Sequence, residues 1–182
     1  MKIKEIQKYI LQAQHDYANV EVYYQSLNFK NAVRKAAEAM TSETAFAPHQ
    51  RRVGKIKCRQ GADKLLSHPF WLELENARSF EDIFQVTEKV KLEIKGLGDL
   101  WSYDTAQRIA FHKGWYPKEV YLHSGAKEGV KVLVNLGYIK SSSIRGKRHI
   151  KKELFPDILR QLDPYIIENI LCVGKRKGLF LK

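Results

Sequence analysis

Cysteine is nearly absent: Cys58 and Cys172 are the only two, and they stand far apart. Two cysteines cannot build a disulfide framework, and neither has a metal-type neighbour at short spacing. The expectation is a chain that works in a reducing cytoplasm. Long apolar runs are also missing. No stretch approaches the roughly 18–20 residues that cross a bilayer, and Met1-Lys2-Ile3-Lys4-Glu5 lacks the apolar segment of a signal peptide. A soluble protein with no membrane partner is expected. Strand-forming patterns are scarce as well, with weak cases only at Tyr138-Ile139 and from Val53 to Lys57. No repeat or low-complexity tract interrupts the 182 residues, a length that suits one domain. The expected organisation is a single helical domain over 1–182, in which N-terminal helices (1–45) pack on a helical core (60–173) and 174–182 form a basic tail.

Acid is scarce relative to base. Twenty Asp and Glu face 32 Lys and Arg, a formal net charge of +12. Such an excess points to a polyanionic partner, nucleic acid first. Three stretches hold cations without acids. Arg51, Arg52, Lys55, Lys57 and Arg59 form one. Lys140, Arg145, Lys147, Arg148, Lys151 and Lys152 form another, with Ser141, Ser142, Ser143 and Gly146 interleaved. Lys175, Arg176, Lys177 and Lys182 close the chain. Hydroxyls and glycine N–H groups beside arginine suit phosphate contacts. The 140–152 stretch lacks the large apolar face that membrane docking requires.

Helical spacing dominates the rest, and the expected fold is all-α or mainly α. Ile3, Ile6 and Ile10 share a face, and Phe29, Ala32, Val33, Ala36, Ala37 and Met40 recur at helical intervals after Asn28, a natural N-cap. Residues 45–60 read as irregular. Ser79-Phe80-Glu81-Asp82 opens a helix with Ile83, Phe84 and Val90 inward. A second helix spans roughly 100–112, a third 125–136 with Gly137 as its stop, and Asp163-Pro164 starts the last.

Between the second pair of helices lies Leu92-Glu93-Ile94-Lys95-Gly96-Leu97-Gly98. Glycine permits positive φ and close backbone approach, and the N–H groups of the following helix point outward. Lys95, Gly96 and Gly98 are therefore candidate phosphate contacts, together with Arg51, Arg52, Arg145, Lys147 and Arg148. This segment resembles the helix-hairpin-helix motif of DNA-repair proteins: Ile94, Gly96, Leu97, Gly98, then Thr105-Ala106 on the second helix. The interval from Gly98 to Ala106 is eight residues, about one helical turn longer than in the compact motif. Downstream, Gly114-Trp115-Tyr116-Pro117 and Val120-Tyr121-Leu122-His123 resemble the bend and the Val-Asp-Thr-His segment of helix-hairpin-helix DNA glycosylases. The likeness covers about 45 residues, from Ser79 to His123. The chain also resembles an uncharacterised bacterial protein family in His49 to Arg52, Tyr103 to Ala106 and Val120 to His123.

The resemblance implies a DNA-glycosylase-like helical scaffold, but not its chemistry. Asp104 stands where bifunctional members carry the Schiff-base Lys, and a carboxylate forms no imine. Tyr121 stands where the glycosylase Asp belongs, and a phenol does not match a carboxylate in stabilising an oxocarbenium-like state. The four-cysteine iron–sulfur loop is absent, and no cofactor is expected. His15, His49, His68, His112, His123 and His149 show no zinc-type spacing, so no metal is expected. The first expectation is a binder of nucleic-acid backbone, duplex DNA above all. The second is an enzyme acting on nucleic acid, a nuclease or atypical glycosylase, through His49, Asp104, Tyr121 and His123. The third is a non-catalytic protein-interaction module. Asp104 also has an alternative partner in Arg108, one turn later.

Overall fold

A computed structural model describes residues 2–180, with nine α-helices among them. Contacts divide the chain into two compact units. A middle unit holds Ala18–Tyr116; a terminal unit holds the residues up to Tyr17 together with those from Pro117 on. Helix α1 (Ile3–Gln25) contributes to both.

In the middle unit, local sequence sets where helices begin. Asn28 caps α2 (Phe29–Ala37), its side-chain oxygen accepting from the Asn31 N–H at 2.9 Å. Ser79 caps α5 (Phe80–Glu93) by accepting from the Asp82 N–H at 3.1 Å. Helix α3 (Lys55–Leu65) replaces the irregular backbone expected up to residue 60, and no strand forms from Val53 to Lys57. Gly54, at φ 83°, turns the chain into α3, and Cys58, Ala62 and Leu65 then share its buried face. Short α4 (Phe70–Asn76) buries Phe70 and Leu74.

Helix α6 (Asp99–His112) is the axis of this unit. Every residue from Trp101 to Phe111 is buried, and α6 packs against α5 and α2. The Trp101 Nε1–H donates to the Ala37 carbonyl at 2.9 Å, which ends α2 against the indole. Gly61 on α3 makes room for the same ring: a Cβ there would run into the indole. Thr87 on α5 donates to the Ser102 carbonyl at 2.9 Å. A helix buried all round is usually apolar, yet α6 carries Ser102, Asp104, Thr105, Gln107 and Arg108 inside.

The terminal unit is built on α7 (Ser124–Asn135) and α9 (Pro164–Lys177). They approach closely at Gly129, where a Cβ would strike the Leu171 backbone. Two short antiparallel strands, β1 (Val120–Tyr121) and β2 (His149–Ile150), pair Val120 with Ile150 and Tyr121 with His149. Helix α8 (Asp157–Arg160) precedes the Asp163-Pro164 start of α9. Tyr138 is not in a strand; its N–H folds back to the Leu133 carbonyl at 2.9 Å as α7 ends, with Gly137 at φ 77°. The Lys2 N–H donates to the Leu179 carbonyl at 2.9 Å, joining the two ends of this unit. Among the described residues no helix is long and apolar enough to cross a membrane. Lys182, counted above with the basic tail, lies outside the described residues.

Candidate nucleic-acid interface

The glycine turn connects α5 to α6 as the spacing predicts. Lys95, Gly96 and Gly98 are exposed, and Leu97 is buried. The two glycines differ in kind. Gly96 has φ 105°, a conformation that side-chain-bearing residues rarely adopt. Gly98 is extended (φ −116°, ψ 175°), and a Cβ on it would meet nothing within 4 Å. As the N-cap of α6, it supplies no side-chain acceptor, and no side chain caps that end. Asp99, the acid nearest this end, is held by Lys91 at 2.7 Å; Lys91 also holds Glu88 at 2.8 Å. The long interval between Gly98 and Ala106 is continuous helix, so Thr105-Ala106 lie buried in its second turn.

The first basic stretch meets this turn. The stem of Lys57 lies where a Cβ on Gly96 would touch it, with Cε at 3.7 Å and Cδ at 3.8 Å. Arg51, Arg52, Lys55 and Arg59 are exposed. Among the described residues, none of these five cations enters an ion pair. Neighbouring lysines on α3 and α5 are matched, Lys64 with Glu93 at 2.6 Å and Lys89 with Glu73 at 2.7 Å. Two hollows, about 370 and 240 Å³, share Phe46 and Lys55; the first also has Arg51 and Gly54, the second Lys35, Glu38, Met40 and Arg59. The Lys55 ammonium stands 5.8 Å from the Phe46 ring centre. Gly54, like Gly98, starts its helix without a side-chain cap.

Beside this surface the structure joins two of the candidate residues. The turn Pro48–Gln50 places His49 Nε2 2.5 Å from Asp104 Oδ2. Gln50 Nε2 donates to the same oxygen at 2.6 Å and to the Leu100 carbonyl at 3.3 Å. Arg108 Nη2 stands 3.6 Å from it. Asp104 therefore takes both partners that its position allows, one turn along α6 and one from the loop. Its side chain is 10% exposed while that of His49 is 50% exposed. Burial pushes the Asp104 carboxyl up, but the Arg108 guanidinium, His49 and Gln50 together outweigh it and hold the group down at about 2. Cys58, also buried, is pushed up to about 11 by burial, with Arg108 opposing; such a thiol is not a nucleophile at neutral pH.

Tyr121 and His123 belong to the terminal unit. His123 Nε2 bonds the Glu168 carboxylate, both side chains being nearly buried. Tyr121 packs its ring on His149, 5.3 Å between centres, and His149 bonds Glu119. The four candidates thus fall into two sets, His49–Asp104 in one unit and Tyr121 and His123 in the other. Sequence reasoning missed Gln50 and Glu168. Gln50 lies within the His49 to Arg52 stretch with nothing to mark it as buried, but a lone acid among Ile166, Ile167 and Ile170 marks Glu168 as needing a buried partner. Arg145, Lys147 and Arg148 are exposed on the link before β2. Lys147, Arg148, Lys151 and Ser143 line a cleft of about 430 Å³ with Glu119 and His149. The residues of the terminal unit hold 17 Lys and Arg against eight Asp and Glu, a balance of +9 of the chain's +12. Among the described residues, no three of His, Cys, Asp and Glu gather to hold a metal ion. No protein-family model matches the chain, and no curated protein or solved structure does.

Proposed function

We propose that this protein binds the sugar–phosphate backbone of nucleic acid, duplex DNA in particular, through the glycine turn and the start of α3. The observation that carries this reading is the unmatched group Arg51, Arg52, Lys55, Lys57 and Arg59, whose member Lys57 packs on Gly96. Cations left without acids while their neighbours are paired are available to phosphate. Two glycine-started helix ends, α3 and α6, add uncapped N–H groups. A separate cleft in the terminal unit, lined by Arg148, Lys147 and Ser143 with Glu119, carries donors of the same kind.

The α5–turn–α6 element is then a helix-hairpin-helix variant with a lengthened second helix, on a glycosylase-like scaffold. The residues at the family's catalytic positions argue for a binder without glycosylase chemistry: Asp104 is buried and ionised, and Tyr121 packs on His149. The two free cysteines, one of them buried, fit a protein that works in the cytoplasm. The test is retention of a labelled duplex across a salt series, with Arg51→Ala/Arg52→Ala as the variant. Steep salt dependence that flattens in the variant supports the reading. Binding to acidic proteins with none to DNA overturns it in favour of a protein-interaction module.

A further inference from the structure

We infer that His49 and Asp104 form a general-base site that hydrolyses phosphodiester bonds in the nucleic acid held beside it. This rests on the binding function proposed above and adds a reaction to it. Two hydrogen bonds and one ion pair converge on one buried carboxylate oxygen: His49 Nε2 at 2.5 Å, Gln50 Nε2 at 2.6 Å, and the Arg108 guanidinium at 3.6 Å. A tether for the loop alone needs no charge in the core; Gln50 already joins the loop to α6 through the Leu100 carbonyl. Burying a carboxylate is costly unless it is matched, and here Arg108, itself buried, matches it. The imidazole is the one member of the cluster that reaches solvent, with half of its side-chain surface open. Arg51 and Arg52 follow it in the chain after the buried Gln50, and both are exposed.

An ionised Asp104 fixes the tautomer. It takes the Nε2–H, so Nδ1 carries the lone pair. In the reaction, a water oxygen forms a bond to phosphorus while Nδ1 takes one of its protons. The bond from phosphorus to the departing sugar oxygen breaks, and that oxygen takes a proton from solvent. His49 returns its own proton to solvent afterwards. Arg51 and Arg52 offset the charge gathering on the phosphate oxygens. His49 is the catalytic residue, and Asp104 is a positioning residue acting through it.

The experiment incubates the full chain with supercoiled plasmid, labelled duplex and labelled single strand, from about pH 5 to 9 with and without Mg²⁺ or Mn²⁺. Retention of the same duplex is measured in parallel. Cleavage by the native chain, lowered roughly a hundredfold in His49→Ala with retention unchanged, is the expected result. His49 is half exposed, and Gln50 and Arg108 still match the buried Asp104 carboxylate in this variant. Asp104→Asn is expected to lower kcat with KM for the duplex unchanged, and Asp104→Glu to restore part of the loss; a fall in retention and cleavage together would mark a merely structural role. No cleavage of any form with retention intact overturns the dyad and leaves the binding function standing. Cleavage by His49→Ala at the native rate also overturns the dyad. Absence of retention and cleavage together overturns both.

Discussion

Gly98→Asp is expected to raise stability slightly while weakening DNA binding. The backbone at Gly98 is extended, and a Cβ there has open space around it, so the aspartate enters without strain. It becomes a side-chain cap where α6 has none. Aspartate exceeds glycine as an N-cap by a few tenths of a kcal/mol, and a carboxylate at a helix start adds roughly 0.3–1 kcal/mol. The same charge repels a phosphate. At about 4 Å the interaction is worth about 1 kcal/mol in water and about 4 kcal/mol near a protein surface. A solvated turn lies toward the low end, so 1–2 kcal/mol is taken, roughly a 5- to 30-fold loss of affinity. Anisotropy of a labelled duplex at about 0.1 M salt, where screening extends over about 10 Å, reads the change. Gly98→Asn supplies the cap without the charge and should bind as the native chain does. A folded, slightly stabilised Gly98→Asp that binds DNA with native affinity would refute the placement of phosphate at this turn.

Four further outcomes are expected. Gly96→Ala, placed at φ 105°, should cost about 1–2 kcal/mol in chemical denaturation, while Gly98→Ala should change stability by less than that. Gly61→Ala should destabilise by roughly 1–3 kcal/mol, since its methyl runs into the Trp101 ring; an unchanged midpoint would contradict the packing described. The Asp104 carboxyl, held at about 2 against an ordinary 3.8, stabilises the fold above about pH 4 and loses that contribution as pH falls through 2. That difference corresponds to roughly 2–3 kcal/mol, measurable by denaturation at successive pH values in the native chain but not in Asp104→Asn. That variant should itself lose about 3–5 kcal/mol at neutral pH, because it leaves Arg108 buried beside a neutral amide.

Some of this was legible in the chain before its folding was known. Asn28, Ser79, the Asp163-Pro164 pair and Gly137 mark helix ends by local chemistry, and the helices begin or stop beside them. The turn at 94–98 was equally plain, because two glycines around one leucine between amphipathic segments leave few alternatives. Helix α3 was hidden. Its buried face is small (Cys58, Gly61, Ala62 and Leu65), and lysine and arginine at 55, 57 and 59 blur the periodicity. The strands β1 and β2 span two residues each, too short for alternation to show. Burial of α6 on all sides was not legible either: its polar residues suggest a solvated face, and only the packing of α2 and α5, with Gly61 of α3 against Trp101, reverses that. His49 and Asp104 stood out as residue types, yet 55 positions separate them. Tertiary structure alone chooses between a helical neighbour and a distant loop, and here Asp104 has both.

The proposed hold on DNA runs through the cations without acidic partners on the surface around Gly96. Its most direct measurement is the slope of log affinity against log salt for a duplex of mixed sequence. Each neutralised phosphate contributes about −0.9, so five contacts predict a slope near −4.5 and roughly a 500-fold loss between about 50 and 200 mM salt. Lys57→Ala should shorten that slope by about one contact. A slope near zero, or one that Lys57→Ala and Arg51→Ala/Arg52→Ala leave unchanged, would contradict the account.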